Sequence, residues 1–403
     1  MAENTGLMTE VAVVGAGPAG LLAAIALAAA GIDTVLIGRR APEDHRTTAL
    51  MAGSVTALET LGVWPLCRDH AAALKTLRIA DATARLLRAP EARFTAAEID
   101  LPAFAHNIEN RHLVAAMEAR AEMLPTLRRL PLNARAVTTG QEARIALDDD
   151  SAIAAQLVIG ADGARSLCRA AAGIATRQRP YPQHALTYNI GHARAHGNVS
   201  TEFHTEAGPF TLVPLPGLRS SVICVVDPPE AEDLHALDDE ALSRETERRS
   251  HFVLGKVSVE PGRGLFPLAA ETAETFARAR IALVGEAAHR VPPIGAQGLN
   301  LGLRDAATIA ELVTDAVAAG RDPGGEAVLS RYDTMRASDV RGRTIAIDLL
   351  NRSLLSGFLP VQGARGLGLY LLNRIGPLRR AVMREGIAPQ LAQPRLMRGD
   401  TLP

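Results

Sequence analysis

Three glycine-bearing segments hold the residues whose types and spacing could do chemistry. The first is VAVVGAGPAG, where Gly15, Gly17 and Gly20 stand in GxGxxG spacing behind an apolar run and ahead of a helical one. That order suits a dinucleotide: Gly15 permits a tight bend, Gly17 lets the backbone approach a pyrophosphate, and Gly20 allows the helix to pack closely on its strand. With Pro18 and Ala19 opening the helix, N–H groups and the positive end of the helix dipole would face the phosphates. The acid that usually follows at the end of the second strand, to bind a ribose hydroxyl, is here Gly38 in LIGRR. Glycine has no side chain for that bond, so water, backbone, or Arg39 or Arg40 must hold the ribose. In the rival reading the two arginines accept a 2'-phosphate and the site takes NADP.

The second segment, LVIGADGARSLCR at 157–169, puts Asp162 and Gly163 after a strand. Such a carboxylate can meet a cofactor or cap the next helix, and both readings stay open. The third, VGEAAHRVPPIGAQGLNLGLRDA at 284–306, gathers Gly285, Glu286, Pro292 and Gly295 ahead of a long helix that starts near Gly298. Its uncharged PPIGAQG loop can touch a flat aromatic ring. The helix N-terminus would aim N–H groups at the anion that a reduced isoalloxazine develops near N1.

Elements must bring these segments together. Residues 10–40 read as strand, turn, helix, strand, with Gly31 placed to stop the helix. Residues 110–124 have helical periodicity, and 143–148 and 155–161 read as strands around an acidic turn. From 181 to 268 short alternating segments broken by Pro214, Pro216 and Gly217 predict an antiparallel sheet. Residues 280–320 return to strand, turn and helix, ending at Gly320, and the chain beyond 326 is mainly helical.

The chain has 403 residues, 47% of them hydrophobic, enough for a sizeable core and two domains sharing one cleft. Lys plus Arg is 43 against 44 for Asp plus Glu, and aromatics are 3%, so neither a basic field nor a stacking platform for nucleic acid is present. The predicted partner is a small molecule. Cys67, Cys168 and Cys224 form no CxxC pair and read as small buried hydrophobes in a reducing cytoplasm. The uncharged stretch Val11–Ile32 is neither a signal peptide nor a span: its N-terminal flank is acidic, and Gly15, Gly17, Pro18 and Gly20 interrupt it.

In their order the three segments resemble the class A flavoprotein monooxygenases, the aromatic hydroxylase family. Within it the chain is most similar to the ubiquinone-biosynthesis hydroxylases of UbiH type. The likeness is carried by RTTALMAGSVTALETLGVW at 46–64, IENRHLVAAMEARA at 108–121, GPFTLVPLPG at 208–217 and GAQGLNLGLRDA at 295–306. The resemblance implies an α/β fold: a Rossmann-type FAD-binding domain, an antiparallel β-sheet substrate domain and a helical C-terminus. The expected boundaries are 1–180 for the first part of the FAD domain, with 76–97 as candidates for the substrate sheet, then 181–270 for the substrate domain. The second part of the FAD domain takes 271–345 and the C-terminal helical region 346–403.

It further implies that the GxGxxG turn holds the ADP half of FAD. Asp162 and Gly163 would lie between FAD and the nicotinamide path, and Gly285 with Glu286, where the family usually has Asp, would contact the ribityl chain. Arg46 and Arg111 would be flavin contacts, and Gln297, Gly298, Leu299 and Asn300 would face the isoalloxazine. NAD(P)H would reduce FAD, O2 would form a flavin C4a-hydroperoxide, and oxygen would pass to an electron-rich ring, expected to be an isoprenoid-tailed quinone precursor.

The resemblance leaves the catalytic residues unassigned. Tyr188 and His289 are candidates for a base by position, with packing or surface as the bland alternative. His184, His192, His196 and His204 lack the spacing and companion ligands of a metal site. The arginines from Arg341 to Arg384, mixed with Leu-rich runs, fit either a membrane-surface helix or a helix packed on the flavin domain with a solvated basic face. The expected location is accordingly cytoplasmic, with peripheral contact at the inner membrane face or a quinone-biosynthesis complex as extensions. A flavin-dependent reductase on the same scaffold and a weakly flavin-binding scaffold subunit are the competing functions.

Overall fold

The structure, a computed structural model, describes residues 7–40, 43–83, 90–292, 295–355, 368, 374–387 and 393–403. The first half of the chain runs β1 (Leu7–Val14), α1 (Pro18–Ala29), β2 (Thr34–Ile37), β3 (Thr47–Met51), α2 (Ala52–Thr60), β4 (Ala71–Leu74), β5 (Thr76–Asp81) and β6 (Ala92–Thr95). It continues with β7 (Ala105–Glu109), α3 (Asn110–Glu122), β8 (Leu127–Leu130), β9 (Ala134–Thr138), β10 (Ala143–Leu147), β11 (Ala152–Gly160) and α4 (Leu167–Ala171). Then come β12 (Thr176–His192), β13 (Val199–His204), β14 (Pro209–Leu215), β15 (Arg219–Val226), α5 (Pro228–Ala236), α6 (Asp239–Arg249), β16 (Val257–Val259) and β17 (Gly264–Ala273). The last stretch holds β18 (Ala277–Arg278), β19 (Ile281–Leu283), β20 (His289–Arg290), α7 (Gln297–Ala318), α8 (Glu326–Leu355), α9 (Gly376–Ile387) and α10 (Arg395–Arg398).

One sheet has the order β18-β19-β11-β1-β2-β8, with parallel pairing from β19 through β8 and a β9–β10 ribbon beside β11. Its strands read as unbroken apolar runs because both faces are covered: Val11, Val13, Leu36 and Ile37 are fully buried. The all-round apolar α1 is explained in the same way. Gly20 to Ala28 are all buried, so this is a core helix packed on α3 and α7 and not a membrane span. Gly31, at φ +81°, ends it: Gly31 N–H donates to Ala28 O at 3.1 Å and Ile32 N–H to Leu27 O at 3.1 Å, the paired bonds of a Schellman stop.

The second sheet has the order β20-β17-β12-β15-β14-β13-β5-β6, antiparallel except where β5 runs parallel to β13. It reaches further than the alternation from 181 to 268 suggests. β12 begins at Thr176, β17 ends at Ala273, and β20 comes from the third glycine segment. Residues 76–81 and 92–95 join it as β5 and β6.

Period-two patterning gives this sheet two faces. Leu186, Ile190, Phe210 and Cys224 pack with Ala231, Leu234 and Leu242 of α5 and α6. Thr187 and Asn189 of β12, with Ser221 and Ile223 of β15, look the other way, into a cleft. A small sheet, β3-β7-β4, adjoins it.

At the C-terminal end α9 is fastened to the β6 region. Arg379 Nε donates to Glu98 at 2.5 Å and the guanidinium lies 4.4 Å over the Phe94 ring, while Met383 is buried among Phe94, Ile99 and Phe104. Much of the Arg341–Arg384 stretch, Arg365 included, lies outside the described residues. Among the described residues no helix is long and apolar enough to cross a membrane.

Candidate cofactor and substrate cleft

A single cleft of about 1370 Å³ joins the first and third glycine segments to the open face of the second sheet. Gly17, Pro18 and Ala19 of the first segment line it, with Gly285, Glu286, Pro292, Gly295, Gln297, Gly298 and Leu299 of the third, and Thr187, Asn189, Ser221, Phe266 and Leu268 of the sheet. Gly163 of the second segment also lines it.

The glycines do different work. At Gly15, φ is +113° and a Cβ would lie 2.2 Å from Ala161 O; at Gly20 a Cβ would lie 2.0 Å from Gly15 O. Both are required by close packing of the turn. A Cβ at Gly17 would meet nothing within 4 Å, so this position opens on the cleft. Gly17 caps α1 with extended backbone and no side-chain hydrogen bond, leaving the first N–H groups of the helix for an anion.

The second turn resolves into two roles. Asp162 accepts from Ser166 Oγ at 2.6 Å and from Cys168 N–H at 3.0 Å, so its carboxylate shapes the entry to α4 and does not line the cleft. The helix-cap reading describes it, although Ser166 is the N-cap residue proper.

At the third turn α1, the turn and α7 meet closely: a Cβ on Gly302 would lie 3.0 Å from Gly285 Cα. Gly285 N–H donates to Asp305 at 3.0 Å. Exposed Glu286 faces the cleft. Helix α7 starts after Gly295 (φ +65°) and Ala296 (φ +53°) without a side-chain cap, so its first N–H groups are free for a ligand. Pro293 and Ile294 of the PPIGAQG loop lie outside the described residues.

Asn300 is placed elsewhere than the family pattern implies. It is 6% exposed and fully engaged, accepting from Met51 N–H at 2.9 Å and Ser54 Oγ at 2.7 Å and donating to Ala49 O at 2.8 Å and Ala296 O at 2.7 Å. It is a strut that fixes the first turn of α7 against β3 and α2, and it is not among the lining residues.

Both predicted arginine contacts reach the cleft. Arg46 pairs with Asp44 through two bonds, Nε–Oδ1 at 2.8 Å and Nη2–Oδ2 at 2.7 Å, and lies 5.2 Å from the Phe266 ring. These bonds raise the Arg46 pKa above its usual value. Arg111 lines the cleft and donates to Glu109 at 3.1 Å, while its Nε is buried without a partner. Burial pushes the Glu109 carboxyl up, but hydrogen bonds from Arg111 and Arg219 outweigh it and hold it below the usual range. Arg39 is separated from this group. It pairs with Asp148 at 2.8 Å outside the cleft, whereas Arg40 lines it beside Glu118 and Glu122.

The candidate bases are occupied. Tyr188 OH lies 2.8 Å from Thr246 Oγ1 in the core, and burial raises its pKa. His289 Nε2 lies 2.6 Å from Asp305 Oδ2, and Arg336 Nε donates to Asp305 Oδ1 at 2.7 Å, a buried trio beneath the third turn. Of the four histidines, His192 and His196 meet edge to face with ring centroids 5.7 Å apart, His192 on Ser220 and His196 on Leu215 O, while His204 sits on Glu202. Among the described residues no group of three or more ligand-type side chains could share a metal.

The residues fit a flavin dinucleotide: two uncapped helix N-termini, an orphaned guanidinium nitrogen and an open Gly17 share one cleft. Sequence reasoning missed Glu118, Glu122 and Asp44. The i, i+4, i+7, i+11 spacing of Arg111, Ala115, Glu118 and Glu122 on α3 was the available signal.

Residues 8–343 match the family described as FAD binding domain. The ubiquinone hydroxylase UbiL of Rhodospirillum rubrum is 34% identical over 98% of this chain and 94% of that protein. The 3-demethoxyubiquinol 3-hydroxylase of Escherichia coli is 29% identical over 93% of this chain and 97% of that protein. The crystal structure of p-nitrophenol 4-monooxygenase PnpA from Pseudomonas putida superposes with a TM-score of 0.79 at 19% identity, covering 96% of this chain and all 100% of that one, which shows a shared fold.

Proposed function

We propose that this chain, which belongs to the FAD-binding-domain family of class A flavin monooxygenases, uses NAD(P)H and O2 to hydroxylate the aromatic ring of a polyprenylated ubiquinone precursor. The observation that carries this reading is that Gly17, Gly298 and the open sheet face line one cleft. The ubiquinone hydroxylases among its relatives support the substrate class.

FAD, when bound, supplies electron transfer from NAD(P)H and the activation of O2 that the protein's side chains cannot. The chain's part is placement and charge. The turn at Gly17 and the N-terminus of α1 would hold the pyrophosphate, with Arg111 and Arg46 lining the same cleft. Glu286 would accept a ribityl hydroxyl. The N-terminal N–H groups of α7, at Gln297 to Leu299, would favour negative charge on the ring.

The sheet face orients the substrate. Phe266, Leu268, Val213 and Ile223 exclude water, and Thr187, Asn189 and Ser221 offer hydrogen bonds to ring oxygens. No titratable base is assigned: Tyr188 and His289 border the cleft, but Tyr188 OH is bonded to Thr246 and His289 to Asp305.

A peripheral contact with an anionic membrane fits the tailed substrate and a cytoplasmic enzyme. Ile375, Leu378 and Val382 are exposed on and beside α9, with Arg380 and Arg384 also exposed on it. The deciding experiment supplies labelled O2 with a tailed phenolic precursor: one labelled atom in the ring is expected, and reduction of substrate without label would sink the hydroxylase reading in favour of a reductase.

A further inference from the structure

Gly38 ends β2 where a ribose-binding carboxylate was expected, and no side chain fits there. Its φ is +152°, and a Cβ would lie 2.9 Å from Ala16 N and 3.1 Å from Ala16 Cβ. Its N–H donates to Leu130 O at 3.1 Å, and its carbonyl accepts from Arg129 Nη1. The same guanidinium grips a carboxylate from another element: Arg129 Nη2 donates to Glu118 Oε1 at 3.0 Å and Nε to Oε2 at 3.3 Å. Arg129 therefore ties the side-chain-free end of β2 to an acid delivered by α3. Glu118 is 6% exposed and lines the cleft, on the α3 face that carries Arg111. A carboxylate has about four acceptor positions, so capacity remains on both oxygens.

We propose that Glu118 is the ribose-diol acceptor of the cofactor site, relocated from the end of β2 to α3; this rests on the FAD reading above. Two adjacent hydroxyls donate to one carboxylate, whereas a 2'-phosphate would meet Glu118 and Glu122 with like charge. Arg40, the cation that would otherwise attract such a phosphate, is paired with Glu122 and lies 3.8 Å from Glu118. The site thus selects an adenosine with a free 2'-hydroxyl over its phosphorylated counterpart.

The test uses flavin fluorescence to titrate apoprotein with FAD, with FMN, and with an FAD analogue whose adenosine carries 2'-deoxyribose. In the wild type, removing the hydroxyl should weaken binding about tenfold or more, in line with loss of a bond to a charged group. In Glu118→Gln, FAD affinity should fall about 10- to 100-fold, the deoxy analogue should bind nearly as well as FAD, and FMN affinity should not change. Equal wild-type affinity for FAD and the deoxy analogue would overturn the proposal without any variant. So would a common loss of FAD and FMN in Glu118→Gln, which would mark Glu118 as a holder of Arg129 only. A wild type that binds none of the three would remove the underlying FAD reading and this one with it.

Discussion

At the residue scale, the two leading glycines should respond in opposite ways to the same methyl group. Gly15→Ala puts a Cβ 2.2 Å from Ala161 O at φ +113°, so it should cost about 3 kcal/mol or more of stability, read by urea unfolding of the apoprotein. Gly17→Ala meets nothing within 4 Å, so the apoprotein should melt as the wild type does, while FAD affinity falls at least about tenfold because the methyl occupies the phosphate approach. Asn300→Ala removes a side chain with four partners and strands the Met51 N–H. A loss of about 2 to 4 kcal/mol is expected, and a melting temperature equal to wild type would show that the strut is dispensable.

These positions also mark what was legible. Gly15, Gly163, Gly285 and Gly295 all have φ between +59° and +113°, a backbone requirement that chirality writes into the sequence as glycine. Asn300 and Arg39 carry no such mark. Their direction depends on neighbours remote in sequence, Met51 at one and Asp148 at the other.

At the element scale, the Gly285 turn is held against α7 by the buried trio of His289, Asp305 and Arg336. Burial pushes the Asp305 carboxyl up, but the charges of His289 and Arg336 and their hydrogen bonds outweigh it, so its folded pKa lies below the ordinary value. A depressed folded pKa means a contribution present above the unfolded pKa of about 4 and lost as pH falls through the folded value. Asp305→Asn should therefore cost about 2–4 kcal/mol at neutral pH, since it removes one of the two carboxylates that pair the buried Arg336, Asp339 being the other, and the gap to wild type should narrow below about pH 4. A gap independent of pH in denaturant titrations would contradict this.

The elements themselves followed from periodicity: α1, α3 and α7 begin and end near their glycine and polar signals. The early start of β12 at Thr176 and the pairing of β20 with β17 did not. Two-residue and edge segments have no period to read, and long-range pairing places them.

At the scale of the whole molecule, the cleft exists because the chain crosses between its two sheets several times, β5 and β6 early and β20 late. Helix α9 adds a clamp, with Arg379 holding Glu98, whose pKa is drawn down to about 2, chiefly by that hydrogen bond. Arg379→Ala should free α9, seen as faster cleavage near residues 376–387 in limited proteolysis, while FAD titration is unchanged because Arg379 lies outside the cleft. Patterning read a βαβ unit at the start of the chain and an antiparallel sheet in its middle, and the whole α/β arrangement came with the family resemblance. Convergence of the early and late turns was legible only through the family resemblance, because no local signal encodes a contact between Gly285 and Gly302 on one side and Ala19 on the other.

The most direct measurement is a crystal structure of the protein saturated with FAD. The account predicts one cofactor, its pyrophosphate at Gly17–Ala19 and its isoalloxazine beside Gly298 and Leu299, facing Thr187 and Ser221 across the cleft. A flavin bound with its ring outside that space, or a cleft that stays empty at saturating FAD, would contradict it.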